Sequence, residues 1–260
     1  MNISKLKLLF VILYGFLFML VFSLPAHSAA AGNDTWEFHL APYAWLAGQN
    51  GTVATLPGLP PADIDIDFWD DILGNLNGAL FLVGEARKDR FGVFVDVAYV
   101  NIESDDTTLA PYFSTVVSET ESWIVTAAGQ YRLVEQSNAF LNLVAGVRYW
   151  SVDSTLALHP GLLPGQEVSN TESWVDPIVG LRGLTSIGES KFIVTGGLGV
   201  GGFGVGSDFM WDVVINLGYR WTETFTTSIG YRYLDVDYED DGFLYDVSQQ
   251  GPVLGLSWRF

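Results

Sequence analysis

From Trp36 onward, apolar residues alternate with small or polar ones over runs of ten or more positions, and helical periodicity is nearly absent. A period of two is the signature of a strand with one face in an apolar environment. The runs near 36–47, 77–88, 91–103, 118–133, 139–153, 171–187, 191–204, 209–221, 225–239 and 244–260 predict ten strands. Short breaks at Asp89-Arg90, Val134 to Asn138, Gly188-Glu189 and Thr222 to Thr224 interleave with connections that include long loops at 48–76, 104–117 and 154–170. Short turns on one side and longer loops on the other are what a transmembrane β-barrel requires. With both termini on the short-turn side the strand number must be even. Ten satisfies this, and an added hairpin from Gly51 to Pro57 and Ala62 to Phe68 would make twelve.

Each strand should carry one greasy face. In the strand from Trp211, the residues Trp211, Val213, Ile215, Leu217, Tyr219 and Trp221 form the outward set, and Asp212, Asn216, Gly218 and Arg220 point inward. In the last strand Pro252, Leu254, Leu256, Trp258 and Phe260 face out against Val253, Gly255, Ser257 and Arg259. Trp36, Trp45, Trp123, Tyr149, Trp211, Trp221 and Trp258 fall near strand ends, where amphipathic rings suit the headgroup level. A soluble sandwich also alternates, but it has no need of aromatics at both ends of its outward faces. Within the first long connection, Phe68, Trp69, Ile72, Leu73 and Leu76 have roughly helical spacing, predicting a short helix on the membrane surface or over the barrel mouth.

Composition sharpens this picture. The chain is 49% hydrophobic and 14% aromatic with a mean hydropathy of +0.27. Yet no run of about 18 apolar residues follows the N-terminal segment, which excludes a helical membrane protein and leaves a closed barrel as the way to satisfy the backbone in lipid. The N-terminal segment itself, with Lys5 and Lys7 ahead of an apolar stretch from Leu8 to Leu24 and then Pro25, Ala26, Ser28, Ala29, Ala30 and Ala31, has the order of a secretory signal peptide. Cleavage between Ser28 and Ala31 is expected, giving a signal over 1–30 and one barrel domain over 31–260. All 30 acidic residues follow the signal, and the remaining chain carries a charge of −20, which argues against nucleic acid. With no cysteine, neither a disulfide scaffold nor a thiolate metal site is available. The predicted fold class is therefore all-β, a transmembrane antiparallel up-and-down barrel.

Several stretches carry a family likeness. Pro42-Tyr43-Ala44-Trp45, Asp71-Ile72-Leu73-Gly74-Asn75-Leu76, Glu85-Ala86-Arg87-Lys88-Asp89-Arg90-Phe91-Gly92 with Asp96 and Tyr99, and Trp174-Val175-Asp176-Pro177-Ile178-Val179-Gly180-Leu181-Arg182 form one set. Gly218-Tyr219-Arg220, Tyr231-Arg232-Tyr233-Leu234-Asp235, Gly251-Pro252 and Phe260 form another. Together they resemble a family of uncharacterised proteobacterial outer-membrane β-barrel proteins, over essentially the whole mature chain. The resemblance implies a bacterial outer-membrane location and brings no activity with it. The expected surroundings are outer-membrane lipid and lipopolysaccharide. The C-terminal strip ending in Trp258 and Phe260 resembles the signal that barrel-assembly machinery reads during insertion.

The strongest polar feature is a set of charges on inward faces: Glu85, Arg87, Asp96, Arg132, Arg148, Asp176, Arg182, Asp212, Arg220, Arg232 and Arg259. A two-residue turn at Asp89-Arg90 sets Asp96 opposite Val83 and diagonal to Glu85. Such a set is either a plug of paired charges, because a buried charge without a partner is costly, or a selectivity lining for a narrow pore. A narrow ten-stranded lumen favours the plug. Of the histidines, His27 leaves with the signal, His39 faces inward near Glu37 and His159 sits before Pro160 in an external loop. An outer-membrane hydrolase would have to use His159 with Asp153 or Ser151, and nothing in the sequence aligns them. Gly199-Val200-Gly201-Gly202-Phe203-Gly204 fits a dinucleotide pattern by letters, but no helix follows it, so neither a nucleotide nor any other cofactor is expected. Acidic clusters at Asp63, Asp65, Asp67, Asp70 and Asp71, at Glu103, Asp105 and Asp106, and at Asp235, Asp237, Glu239, Asp240 and Asp241 all fall at the external end. Asp237, Glu239 and Asp241 are weak divalent-cation candidates, since Ser248 stands where a closing bidentate Glu belongs. Solvated negative loops account for them more simply. The expectation is a non-enzymatic outer-membrane barrel with a structural or surface-interaction role, or a narrow pore for small solutes.

Overall fold

The computed structural model describes residues 35–56, 58–106 and 112–260, without the side chain of Asp106. The segment expected to be a signal peptide, including Lys5, Lys7 and His27, lies outside them, as does Pro57. Twelve strand segments follow one another: β1 (Glu37–Trp45), β2 (Gly48–Ala54), β3 (Ala62–Ile66), β4 (Leu76–Lys88), β5 (Phe91–Asp106), β6 (Phe113–Glu135), β7 (Ala139–Pro160), β8 (Gln166–Ser186), β9 (Phe192–Gly202), β10 (Phe209–Arg220), β11 (Phe225–Asp240) and β12 (Phe243–Arg259). Neighbours from β4 to β12 pair antiparallel in sequence order, β1 pairs with β4, and β1 also pairs with β12, which closes the sheet.

Both strand counts contemplated from the sequence have a basis, but the barrel has ten staves. The register along β12 is unbroken from His39 opposite Arg259 to Ala54 opposite Leu244, so β1 and β2 are one stave kinked at Leu46-Ala47. Gly251 permits that kink, because a Cβ there would lie 1.9 Å from the Leu46 carbonyl oxygen. The β2–β3 hairpin does form, but β3 and β4 are likewise two pieces of one stave. Gln49 faces Ile66 while Pro42 faces Leu82, and the surplus residues between the two pieces loop out as 67–75. This excursion contains the predicted helical segment as a single π-helical turn, Phe68–Ile72, whose first N–H groups are capped by the Asp67 carboxylate.

Two of the predicted long loops are mostly strand. β6, β7 and β8 run for 23, 22 and 21 residues. That leaves only 161–165 between β7 and β8, and 104–106 and 113–117 of the other loop belong to β5 and β6. Crossing a bilayer takes about 9–11 residues of tilted strand, so roughly half of each of these three strands projects beyond the membrane.

The hydrophobic face changes sides along the staves. On β7, Leu143, Val147 and Tyr149 are exposed on the outer face, but the next apolar residues, Trp150 and Val152, are buried on the inner face and Ser151 and Asp153 take the outside. On β11 the switch falls between outward Tyr231 and buried Leu234, with 58% exposure at Ile229 against 0% at Leu234. On β12, Leu254 and Leu256 face out, whereas Val247, Tyr245 and Phe243 are buried inside. Apolar-out suits lipid and apolar-in suits water, so the switch marks the external membrane boundary. Aromatic pairs flank the band. Tyr99–Trp123 at 4.4 Å and Trp211–Tyr233 at 4.8 Å stand at its external edge. Phe91–Tyr131, Phe192–Tyr219 and Phe225–Trp258, each at 5.1 Å, stand at the periplasmic edge.

Two predicted belt residues behave otherwise. Trp45 sits on an inward position opposite Val253 and is buried in the internal core. Trp211 keeps the parity opposite to inward Asp212, but it is buried rather than exposed and stacks on Tyr233.

Candidate functional site

The lumen contains two different fillings. At the level of the external membrane boundary, β7, β10, β11, β5 and β1 each contribute one residue to a compact ionic layer. Asp212 accepts from Arg148 Nη2 at 2.7 Å and from Arg232 Nε at 3.0 Å and Nη2 at 2.7 Å. The same Arg232 lies 3.1 Å from the Asp96 carboxylate and donates to the Tyr43 hydroxyl at 3.0 Å, and that hydroxyl donates to Asp96 at 2.8 Å. Arg148 Nε donates to Thr126 at 2.8 Å. Two guanidinium groups and two carboxylates balance in charge, which is the condition under which buried ions persist. Arg232 also lies 4.8 Å above the Trp45 ring, tying the layer to what sits above it.

Above the layer, inward side chains of the projecting half form an apolar core. Trp150 stacks on Trp174 at 5.6 Å, and Trp174 stacks on Tyr238 at 4.0 Å, almost coplanar at 5°. Phe243, Tyr245, Leu234, Val236, Val247 and Met210 complete it. Asp176, which the register places opposite Arg148, makes no ion pair with it. Its carboxylate instead accepts from Trp150 Nε1 at 2.8 Å, Ser207 N at 2.7 Å and Ser207 Oγ at 2.8 Å, pinning the 203–208 turn over the aromatic stack.

Below the layer the lumen is hollow. A cavity of about 370 Å³ reaches from Asp96, Arg148 and Asp212 down to Glu223 and Arg259 at the periplasmic end. Arg182 crosses it to Glu85 at 3.3 Å and lies over the Phe94 ring. Glu85 and Asp96, diagonal in the register as expected, thus belong to separate pairs. Arg87 and Arg132 stand at the periplasmic rim, where Glu135 lies 3.5 Å and 3.0 Å from them and Glu37 also pairs with Arg87. Among the described residues Arg220 and Arg259 make no ion pair. The expected cluster is therefore three groups at different depths, not one.

The charged members carry a sequence signal, because each falls on an inward position of its strand. The internal aromatics do not follow the outward parity that marks the membrane band. They were nonetheless visible as adjacent large apolar residues, Tyr149-Trp150, Trp174-Val175, Met210-Trp211 and Tyr233-Leu234, one for each side of the wall. Tyr43 and Thr126 carried no such mark.

A second cavity of about 430 Å³ lies in the projecting half, between the inner faces of β5 and β6 and the β3 and π-turn segment. The other candidates do not assemble. Ser151, Asp153 and His159 share strand β7, with His159 six residues from Asp153 and eight from Ser151. At about 3.3 Å per residue those separations exceed any hydrogen-bonded relay. Asp153 is engaged by Thr171, and His159 lies within β7 rather than in a loop. Gly199 to Gly202 are wall positions of β9, and a turn follows, not a helix. Among the described residues no three histidine or acidic side chains converge, Asp237, Glu239 and Asp241 included.

A closed sheet of ten staves, apolar on the outside over one membrane's thickness and edged by aromatics, is an outer-membrane β-barrel. Solved structures agree on the fold. The chain superposes on the outer-membrane protease OmpT from Escherichia coli with a TM-score of 0.54 and 14% identity, covering 90% of this chain and 99% of that one. Matches with lower scores include the translocator domain of the autotransporter NalP from Neisseria meningitidis, at a TM-score of 0.48, 12% identity and 98% coverage of both chains. The attachment invasion locus protein Ail of Yersinia pestis matches with a TM-score of 0.39 and 12% identity over 88% of this chain and all of its own. No family model and no curated protein matches the sequence. The protein is thus a barrel of the Gram-negative outer membrane.

Proposed function

We propose that this barrel is a closed, non-enzymatic surface protein, not a channel, whose working part is the projecting half. The observation that carries the reading is the double barrier across the lumen. A solute moving straight along the lumen meets the Arg148–Asp212–Arg232–Asp96 layer and then the Trp150–Trp174–Tyr238 stack. The plug expected from inward charges is thereby revised: charges form its lower face, and aromatics form its bulk. Opening either would expose unpaired ions or a large apolar surface. Long paired hairpins, stiffened from within by an apolar core, hold a negatively charged rim away from the lipid, where a surface partner or lipopolysaccharide would meet it. β12, which carries Trp258 and is followed by Phe260, closes the barrel on β1, with Phe260 N donating to Phe38 O at 2.9 Å, a position suited to insertion by assembly machinery.

Planar-bilayer recording of the refolded protein tests this. The expected result is no discrete conductance from the parent and none from an Arg87→Ala, Arg182→Ala, Arg220→Ala variant, because these residues lie below the barrier. Small steps should appear only when both barriers are removed, with Trp150, Trp174 and Tyr238 changed to Ala together with Arg148, Asp212, Arg232 and Asp96. Steady, ion-selective conductance from the parent would replace this reading with the narrow pore.

A further inference from the structure

The second cavity sits where the wall is unzipped. β3 pairs only with β2, and Ser104 to Asp106 of β5 pair only with β6, so two strand edges face each other without a ladder just above the lipid band. The 67–75 excursion bridges the gap, anchored to β5 by Glu103 N to Asn75 O at 2.9 Å. Its π turn buries Phe68 and Ile72 inward and leaves Trp69 and Leu73 exposed, 60% and 52% respectively. The space of about 430 Å³ opens at this gap and reaches inward to Trp45, Phe81 and Ile124 beside the apolar core.

The lining is lopsided in chemistry. Phe68, Phe81 and Ile124 supply apolar surface, Asp71 at the π turn and Asp65 on the outer side of the β3 edge bring carboxylates to its rim, and no lysine, arginine or histidine lines it. Trp45, buried to 5% exposure, also lines the space, and its indole N–H has no hydrogen-bond partner. A buried donor of this kind costs free energy until an acceptor reaches it.

We propose that this cavity is a binding site for a small amphiphilic amine that enters beside the π turn. The apolar body fills the space between Phe68, Phe81 and Ile124, an ether or hydroxyl oxygen accepts from Trp45, and the ammonium group remains at the mouth against Asp65. An anion is disfavoured there by both carboxylates, and a purely polar cation would leave the apolar walls unfilled.

The probe is 2-(4-fluorophenoxy)ethylamine, read by fluorine NMR against the barrel refolded into lipid nanodiscs. The matched alcohol 2-(4-fluorophenoxy)ethanol and acid 4-fluorophenoxyacetate serve as comparisons. Saturable binding is expected in the order amine, alcohol, acid. Asp65→Asn should weaken the amine about fivefold and leave the alcohol unchanged, the size expected for an exposed ion pair. Thr120→Phe fills the cavity from β6 without altering charge and should abolish binding of both. Its folding is checked by the same heat-dependent gel shift as the parent, and Ala79→Phe fills the space from β4 should that variant not fold. The site is overturned by amine binding that survives a folded cavity-filling variant, which is attraction to the acidic rim, and by an acid that binds as well as the amine. Absence of saturable binding by all three probes overturns it equally.

Discussion

The membrane half and the projecting half of this barrel are built from the same staves, yet they are inside out with respect to each other. In the membrane half the wall is apolar outward, through residues such as Leu143, Ile229 and Leu256, and the interior is a hollow space lined by Glu85, Arg182 and Asp212. In the projecting half Trp174, Leu234 and Val247 turn the apolar side inward and the outer positions are polar. A strand places alternate residues on opposite faces, so a single step in the phase of the pattern is enough to exchange the two solvents. The ionic layer stands at the level of that step. It accommodates Arg148 next to Tyr149 and Arg232 next to Tyr233, where neither lipid nor the apolar core would take a charge.

The comparison can be broken most severely at its joint. Asp212→Ala removes the carboxylate shared by Arg148 and Arg232 and should cost about 3–5 kcal/mol in reversible urea unfolding from lipid, the penalty for stranding buried charge. A double change that also replaces Arg148 by Leu should recover part of that loss. Trp174→Ala hollows the aromatic stack and should cost a similar 3–5 kcal/mol, but it should raise protease access only in the projecting half, as limited proteolysis of the refolded protein would reveal.

The outer faces should respond oppositely to the same substitution. Ile215→Lys, on the lipid side, is expected to destabilise by about 2–4 kcal/mol. Ser151→Lys, above the boundary on β7, should stay within about 0.5 kcal/mol. Equal effects at the two sites would mean that the boundary has been placed wrongly.

A smaller effect concerns Tyr245, in the core of the projecting half, whose phenol is pushed up to about 12 by burial. An unfolded phenol ionises near pH 10, so the neutral folded form contributes stability below that pH and the contribution is lost as pH rises from 10 toward 12. Tyr245→Phe should flatten the alkaline fall in unfolding free energy over that window. Least of all, Arg87→Ala at the periplasmic rim should change stability by less than about 1 kcal/mol, because its pairs with Glu37 and Glu135 are partly solvated.

Much of this was legible in the chain before any coordinates. Strand positions, the turns at Asp89-Arg90 and Gly188, the outward sets of β10 and β12 and the inward parity of the charges all follow from a period of two, which is local information. The projecting parts of β7 and β8 within 154–170 read as a loop in the sequence because Thr155 and Ser169 have surface character. They are surface residues, but of a strand whose other face is a core. Trp45 was assigned to a belt for the same reason, since aromatic character does not say which side of the wall is apolar.

By itself the sequence determined that this is a closed barrel in a lipid bilayer, because only a closed sheet can satisfy the backbone of a chain so apolar and so lacking in long apolar helices. It also determined which charged side chains face inward. Tertiary structure alone decided the rest: that twelve segments make ten staves, that Asp96 answers Arg232 while Glu85 answers Arg182, and that Asp176 serves Trp150 and Ser207 instead of an arginine. Those outcomes depend on which residues meet across the lumen. Strand tilt and stagger around the whole circumference set those meetings, and no single segment encodes them.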